Sequence, residues 1–497
     1  MKRPIRCERP ARALFRRHPK KLAALAVLVG APTLAHVCIA ATTGIEPPRV
    51  ALPAGEPVVD AADPDLSTLG AAYARHRGKI LEVRLAGSPE DVGHQMGRLL
   101  HAQMTANEGA LLGDFRKYVP FAPLRWLIMD VSRVEFRHVD LGMSDARRRE
   151  IASQAAAFQP DAYDGFLPTY HRFVFLQSLY DIALSFEHSP LLGCTSFALK
   201  GDASAGGHVL LARNFDFEAG PIFDEKKAVF VVREAGRIPY ASVAWPGLVG
   251  AVSGMNAEGV ALVVHGARAR EPKSEGEPVV HTMREVLATA RSTAEAITIL
   301  QRKDPMVSHM VFLVDAKGDV AVVERVPGEP AFVRRDPAAL RVGLTNHLEG
   351  PLANDPANKR VETVTSTMPR RQRLDELLAA LPNGATPADA ARILRDKKGV
   401  TGAELKLGNR RAIDALIATH GVIFDVTARA VWVSEGPHLV GRFVKFDLAK
   451  LFDAAYEPKP GEAATEAAVD AIPADVIDGD GSYARWVAAG SPHKGEP

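Results

Sequence analysis

Between residues 228 and 324 one pattern recurs three times: a β-branched run, a short turn that contains glycine, and a second such run. Ala228–Arg233 and Tyr240–Ala244 flank the turn 234–237. Val249–Ser253 and Val260–Val264 flank Met255 to Gly259, and Met310–Val314 and Val320–Glu324 flank Asp315 to Gly318. Glycine adopts the positive φ that tight hairpin turns require, so each unit predicts two adjacent antiparallel strands. Val422–Phe424 and Ala430–Val433 give a fourth hairpin, followed by an apolar run over Val440–Phe446. Helices intervene: 281–302 holds a capping box at Ser292 to Glu295, and Thr386-Pro387-Ala388-Asp389 has proline at N1 and an acid at N3. Hairpins alternating with helix pairs predict an α+β architecture, antiparallel sheets covered by helices.

The pattern changes near residue 190. From 88 to 190 apolar residues recur at three and four, as in Val92, Met96, Leu99 and Leu100. Ser88-Pro89-Glu90-Asp91 reads as a helix start, and Gly93 and Gly97, one turn apart, leave room for a second element to approach closely. Upstream, residues 1–21 carry nine Lys or Arg against Glu8, and an apolar run extends over 22–41. A basic flank before an apolar run reads as an export signal or signal anchor. The expected organisation is a signal or anchor (1–41), a Pro- and Ala-rich linker (42–66), a helical leader (67–193), a strand-rich body (194–450) and a C-terminal extension (451–497).

Sixty-one Lys and Arg oppose 59 Asp and Glu. That balance gives no basic field for nucleic acid, so no nucleic-acid partner is expected. Three cysteines exclude a disulfide framework and a thiolate zinc site, and the sixteen histidines show no ligand spacing; neither metal nor cofactor is expected. Cys7 and Cys38 fall in the targeting segment, which leaves Cys194 alone in the body.

Cys194 opens a distinctive stretch: Gly193-Cys194-Thr195-Ser196-Phe197, then Gly206-Gly207 and a second run ending Arg213-Asn214-Phe215-Asp216. This reads as a strand that starts at a cysteine, a Gly-Gly turn and a return strand. A hairpin brings its two ends together, which sets Arg213 and Asp216 near Cys194. A guanidinium beside a thiol favours the thiolate, whereas an isolated cysteine is ordinarily a small buried apolar residue.

The stretch resembles the cysteine branch of the N-terminal-nucleophile (Ntn) hydrolases, above all the acyl-coenzyme A:6-aminopenicillanic-acid acyltransferase family, with choloylglycine hydrolases and penicillin V acylases as cousins. Gly254-Met255-Asn256-Ala257-Glu258-Gly259 is similar to that family's Asn-x-x-Gly hairpin, Leu344-Thr345-Asn346-His347 to its Thr-Asn-His, and Gly93-x-x-x-Gly97 to its leader motif. The resemblance implies an αββα four-layer sandwich and a precursor that cuts itself between Gly193 and Cys194. The helical leader then becomes an α chain that stays associated with the β chain. It further implies that Cys194 attacks an amide to form a thioester, with its own freed amine as base, and that Asp216 orients that amine. Asn346 donates to the oxyanion, and the backbone around Val264 and His265, or Asn214, supplies further oxyanion or substrate contacts.

Two departures stand out. Arg213 is the choloylglycine residue where the acyltransferases carry Gln. The Ser-Arg pair that some relatives carry before the strand at 422 is replaced by Asp414-Ala415, with Arg410 and Arg411 nearby. The expected protein is an exported, periplasmic cysteine amidohydrolase or acyltransferase. It acts on a small N-acyl amide and is anchored to the inner membrane if 22–41 is retained. The alternative is a membrane-anchored binding protein that keeps the fold without catalysis. Leader aromatics, Phe173, Tyr180, Trp126 and Phe186 among them, predict an apolar acyl group.

Overall fold

The computed structural model describes residues 19–185, 192–217 and 220–492. It divides into two units: residues 1–45 with 115–137, and residues 46–114 with 138–497. The larger unit contains seventeen strands among the described residues: β1 (Val58–Val59), β2 (Ser67–Leu69), β3 (Ala72–Arg77), β4 (Ile80–Gly87), β5 (Leu192–Leu199), β6 (Leu210–Phe217), β7 (Ala228–Glu234), β8 (Tyr240–Ala244), β9 (Ser253–Asn256), β10 (Val260–Gly266), β11 (His309–Asp315), β12 (Val320–Arg325), β13 (Phe332–Arg334), β14 (Arg341–Leu344), β15 (Ala418–Asp425), β16 (Ala430–Ser434) and β17 (Phe443–Asp447).

They form two sheets, in the orders β1-β2-β3-β4-β7-β8-β9-β10-β11-β12-β13 and β14-β5-β6-β15-β16-β17. All four sequence-read hairpins pair antiparallel, at β7–β8, β9–β10, β11–β12 and β15–β16. The second hairpin starts late: its first strand is β9, not 249–253, because Ala251 gives its N–H to Val280 O instead.

The layers follow from which residues share a core. One cluster joins Leu211, Val422, Phe424 and Val433 of the six-stranded sheet to Val231, Val243, Val263, Phe312 and Val322 of the larger one. A second packs Phe197, Leu210, Ala212 and Ile423, from the other face of the six-stranded sheet, on Leu374, Leu378, Ile393 and Leu394 of the helices Thr367–Ala380 and Pro387–Leu394. On the outer face of the large sheet, helix Val279–Thr289 is tied down by Asn256, whose Nδ2 donates to Leu287 O (2.9 Å) and Ala290 O (2.7 Å). The order is helix, sheet, sheet, helix: the four-layer α+β sandwich expected.

The leader departs from expectation. Residues 67–87 are strands, not helix, and β4 lies parallel to β7 in register from Leu81↔Ala228 to Gly87↔Glu234, so the sheets are not wholly antiparallel. Buried charge hid these strands. Glu82 is fully buried between Arg75 (2.8 Å) and Arg77 (2.6 Å), so β3 and β4 lack the apolar alternation that marks a half-buried strand. Their remaining donors are satisfied by the C-terminal extension: Arg75 reaches Tyr456 Oη (2.6 Å) and Arg77 reaches Glu466 (2.5 Å). The C-terminal extension thus packs on these strands through Tyr456, Glu462 and Glu466.

Helix 89–99 starts at a Ser88–Asp91 capping box, as its sequence predicts. It crosses helix Asp145–Ala157 at the two glycines. A Cβ on Gly93 would lie 2.1 Å from Glu150 O, and one on Gly97 would lie 2.7 Å from Gln154 O, so only glycine permits the crossing.

The smaller unit is a pair of helices, Pro19–Thr42 and Ala122–Glu135. Among the described residues no helix is long and apolar enough to cross a membrane.

Candidate active site

Cys194 lies in β5, opposite Phe215 in β6, with Thr195 opposite Asn214 and Gly193 opposite Asp216. Strand alternation divides these residues between two faces. Cys194, Ser196, Arg213 and Phe215 point to the large sheet; Thr195, Asn214 and Asp216 point to the helices.

On the first face the thiol is 1% exposed. Arg213 Nη2 donates to Sγ at 3.1 Å and to Val264 O at 2.6 Å, while Nη1 donates to Val252 O (2.8 Å) and Ser253 Oγ (2.5 Å). The guanidinium stacks over Phe215, 4.2 Å from the ring centre. Burial pushes the thiol above its ordinary pKa; Arg213 and Arg370 pull it down and Asp216 opposes them. Arg213 does favour the thiolate, as its position suggested, but in the uncut chain burial outweighs it. Ser196 Oγ meets His265 Nε2 at 2.6 Å, and Thr345 O meets His265 Nδ1 at 3.1 Å. Burial, then Arg213 and Arg370, hold His265 well below the usual imidazole range, so it is neutral.

The second face organises the backbone of Cys194. Its N–H donates to Asn346 Oδ1 at 2.8 Å, and Asn346 Nδ2 donates to Gly266 O at 3.1 Å, leaving one N–H of that amide for another acceptor. Arg370, from helix Thr367–Ala380, donates to Cys194 O (2.5 Å), Thr195 Oγ1 (2.9 Å) and Asn346 Oδ1 (3.0 Å). A Cβ on Gly193 would come within 3.1 Å of Asp216 Oδ2, which places that carboxylate against the Gly193–Cys194 junction and explains the glycine.

Cys194, Arg213, Asn346, Asp216 and Gly193 thus come together. Other expectations need correction. Asn214 turns to the helix layer, its Nδ2 holding Leu394 O (2.9 Å) and Ile413 O (3.2 Å), so it does not face the thiol. The Val264 N–H is committed to Val252 O (3.1 Å) and cannot serve an oxyanion, and the His265 ring is held by Ser196 and Thr345. The second arginine beside the nucleophile is Arg370, not Arg410 or Arg411; Arg411 is exposed. Arg370 lies about 50 residues before the strand that contains Val422, within Pro369-Arg370-Arg371, where nothing in the local pattern separates it from a surface helix arginine.

Beside this site lies an apolar cavity of about 100 Å³. Its wall includes Phe215, the cross-strand partner of Cys194, and Val252, whose carbonyl holds Arg213; Phe217 and Trp245 extend it. The leader contributes Phe173 and Tyr180, and among the described residues the buried Tyr180 hydroxyl has no hydrogen-bond partner. Other leader aromatics do not line it: Tyr118, Phe121 and Trp126 are exposed in the smaller unit, and Phe186 lies outside the described residues. Among the described residues no group of three or more His, Cys, Asp or Glu is placed to hold a metal.

Residues 203–436 match the model of the acyl-coenzyme A:6-aminopenicillanic acid acyl-transferase family, and the chain resembles that family. The match begins downstream of Cys194. An uncharacterised protein of Archaeoglobus fulgidus is 25% identical over 258 residues, 48% of this chain and 42% of that protein; the chain thus spans less than half the length of this relative. Among solved structures, a Caenorhabditis elegans N-acylethanolamine-hydrolyzing acid amidase ortholog aligns with TM-score 0.36 and 15% identity over 47% of this chain and 93% of its own. Penicillin V acylase from Agrobacterium tumefaciens aligns with TM-score 0.32 and 20% identity over 48% and 82%. A conjugated bile acid hydrolase mutant from Clostridium perfringens aligns with TM-score 0.33 and 14% identity over 54% and 97%.

Proposed function

We propose that this chain is an exported, self-cleaving cysteine amidohydrolase or acyltransferase that acts on N-acyl amides with an apolar acyl group. The observation that carries this reading is the double hold on Cys194: Arg213 on its sulfur at 3.1 Å and Asn346 on its backbone nitrogen at 2.8 Å. A residue that only fills space has no use for a guanidinium at its thiol and an amide at its nitrogen.

The chemistry follows from that placement. Cutting the Gly193–Cys194 bond turns the nitrogen that Asn346 now holds into a free amine, with the Asp216 carboxylate at the same junction. Such an amine has a pKa of roughly 7.7–8.0 and can take the thiol proton. Sγ bonds to the substrate carbonyl carbon, the C–N bond breaks with the proton passing to the leaving nitrogen, and a thioester remains. Water then releases the acid, or an amine receives the acyl group. The spare N–H of Asn346 and the Arg370 guanidinium are the donors available to a developing oxyanion. The cavity beside Phe215 takes the acyl chain, its apolar wall favouring fatty or aromatic groups. Export rests on the basic 1–21 and apolar 22–41 segments.

After the cut, the leader would stay bound through the β4–β7 ladder and through buried ion pairs of its Arg147 and Glu150 with Glu234 and Arg284. Intact mass and N-terminal sequencing of purified protein test the proposal: two co-purifying chains, the second beginning at Cys194, are expected, and Cys194→Ala should abolish both cutting and turnover of N-acyl amides. A single uncut chain that turns over substrate at full rate would sink the mechanism. A single chain with no turnover would instead favour a non-catalytic binding protein.

A further inference from the structure

The smaller unit is built inside out. Helix Ala122–Glu135 turns charge towards its partner helix: Asp130 and Arg133 are 8% and 9% exposed. Both Asp130 oxygens lie 2.9 Å from His36 Nδ1, and Arg133 Nη2 donates to Ala40 O at 3.2 Å. The opposite stripe, Leu124, Leu127, Val131 and Val134, follows the three-four-three spacing of an ordinary core-facing helix, yet it is 44%, 58%, 59% and 39% exposed. On the partner helix Leu34 and Val37, one turn apart, are 65% and 55% exposed. A helix in water buries such a stripe and shows its charges; here the polarity is reversed. Exposed apolar side chains of this size forgo much of the free energy of burial, so the stripe is suited to a medium other than water.

We propose that residues 115–137, paired with the N-terminal helix, form a membrane-seated element that rests in the headgroup and upper acyl region of an anionic bilayer. The surrounding charge selects that occupant. Residues 115–137 contain five Lys or Arg and two acids, with Arg116 and Lys117 before the stripe and Arg137 after it, and seven further basic residues precede the paired helix, which itself opens with Lys20 and Lys21. Apolar stripes bracketed by Lys and Arg are the composition of interfacial helices, whose basic flanks meet acidic headgroups. Fourteen residues at about 1.5 Å each fall well short of a hydrocarbon core about 30 Å thick, so this helix lies in the interface and does not cross it. The proposal is independent of the catalytic reading, and its readout is lipid contact, not turnover.

The test uses the full chain in mixed phosphatidylcholine–phosphatidylglycerol vesicles, with Leu127→Trp introduced beside Trp126→Phe as a reporter in the middle of the stripe. Trp245, Trp432 and Trp486 are retained, so the reporter is read as the difference from the Trp126→Phe protein; phospholipids brominated on the acyl chain should lower that difference emission by about twofold, as expected for a side chain seated among acyl groups. No quenching while the protein floats with the vesicles would mean that the N-terminal segment alone holds the membrane, and would overturn the proposal. The double variant Leu127→Asp/Val131→Asp, at exposed positions that leave the helix pairing untouched, should weaken vesicle binding at least about tenfold. A vesicle-independent dimer that this variant dissociates would show that the stripe covers a second copy of the chain, and would also overturn it.

Discussion

Two sets of buried arginines in the larger unit are neutralised in opposite ways. In the first, Arg147 and Glu150 of the leader meet Glu234 and Arg284 of the body. Arg284 reaches Glu150 at 2.8 Å and Glu234 at 2.9 Å, Arg147 reaches Glu234 at 2.5 Å and also pairs with Glu150, and all four residues are buried. Two cations face two anions, and the charge is spent on joining leader to body. In the second set Arg213 and Arg370 flank Cys194, also buried, and among the described residues neither has a carboxylate within ion-pair distance. Their donors go to carbonyls, hydroxyls, an amide and one sulfur. Burial lowers the Arg370 pKa, and Asp216 and Cys194 oppose it. Two buried guanidiniums with one carboxylate, Asp216, at longer range leave net positive charge at Cys194, which favours negative charge there, as a thiolate or an oxyanion would carry.

The sharpest way to separate the two sets is to remove one acid from the first. Glu150→Ala leaves Arg147 and Arg284 sharing one partner in a buried site, and breaking a buried pair in this way costs about 3–5 kcal/mol. Denaturant unfolding should register that loss, while kcat per folded molecule changes little because no reacting group has moved. A stable variant with collapsed kcat would mean that the network reaches the active site and that the contrast is false.

Next in size is Arg370→Met, which keeps much of the side-chain volume and removes the charge. Loss of a donor at an oxyanion costs about 10²–10³ in kcat, so single-turnover rates should fall by that order while stability falls less than in Glu150→Ala. If stability falls as far and the rate does not, Arg370 merely ties β5 to its helix.

Arg370 also marks where sequence reasoning stopped. Glycine turns between β-branched runs are local signals, and they placed the hairpins of the body; the order of Gly-Cys, Arg-Asn-Phe-Asp and Asn-His gave Cys194, Arg213, Asp216 and Asn346. What failed was non-local. β3 and β4 carry buried arginines because Tyr456, Glu462 and Glu466, almost 400 residues away, satisfy them. Arg370 reaches Cys194 across 176 positions by way of helix packing, and no spacing rule reports that. Asn214 misled because its neighbours on either side, Arg213 and Phe215, face the thiol; alternation along β6 sends it the other way.

The smallest effect tests Arg213 and is read as a pH shift. Burial raises the folded thiol pKa and Arg213 lowers it, so Arg213→Gln removes the lowering and the folded value must rise further. The alkylation profile of Cys194 and the acidic limb of kcat/KM should therefore both move to higher pH. Linkage adds a second readout with a fixed sign. A thiol whose pKa is raised by folding contributes stability that is fully present below its unfolded value of about 8.5 and is lost as pH rises towards the folded one. The variant, with the higher folded value, should therefore lose stability over a wider alkaline range than the parent. An unmoved alkylation profile would make Arg213 a strap between Cys194 and the carbonyls of Val252 and Val264, and the unneutralised charge at the nucleophile would then belong to Arg370 alone.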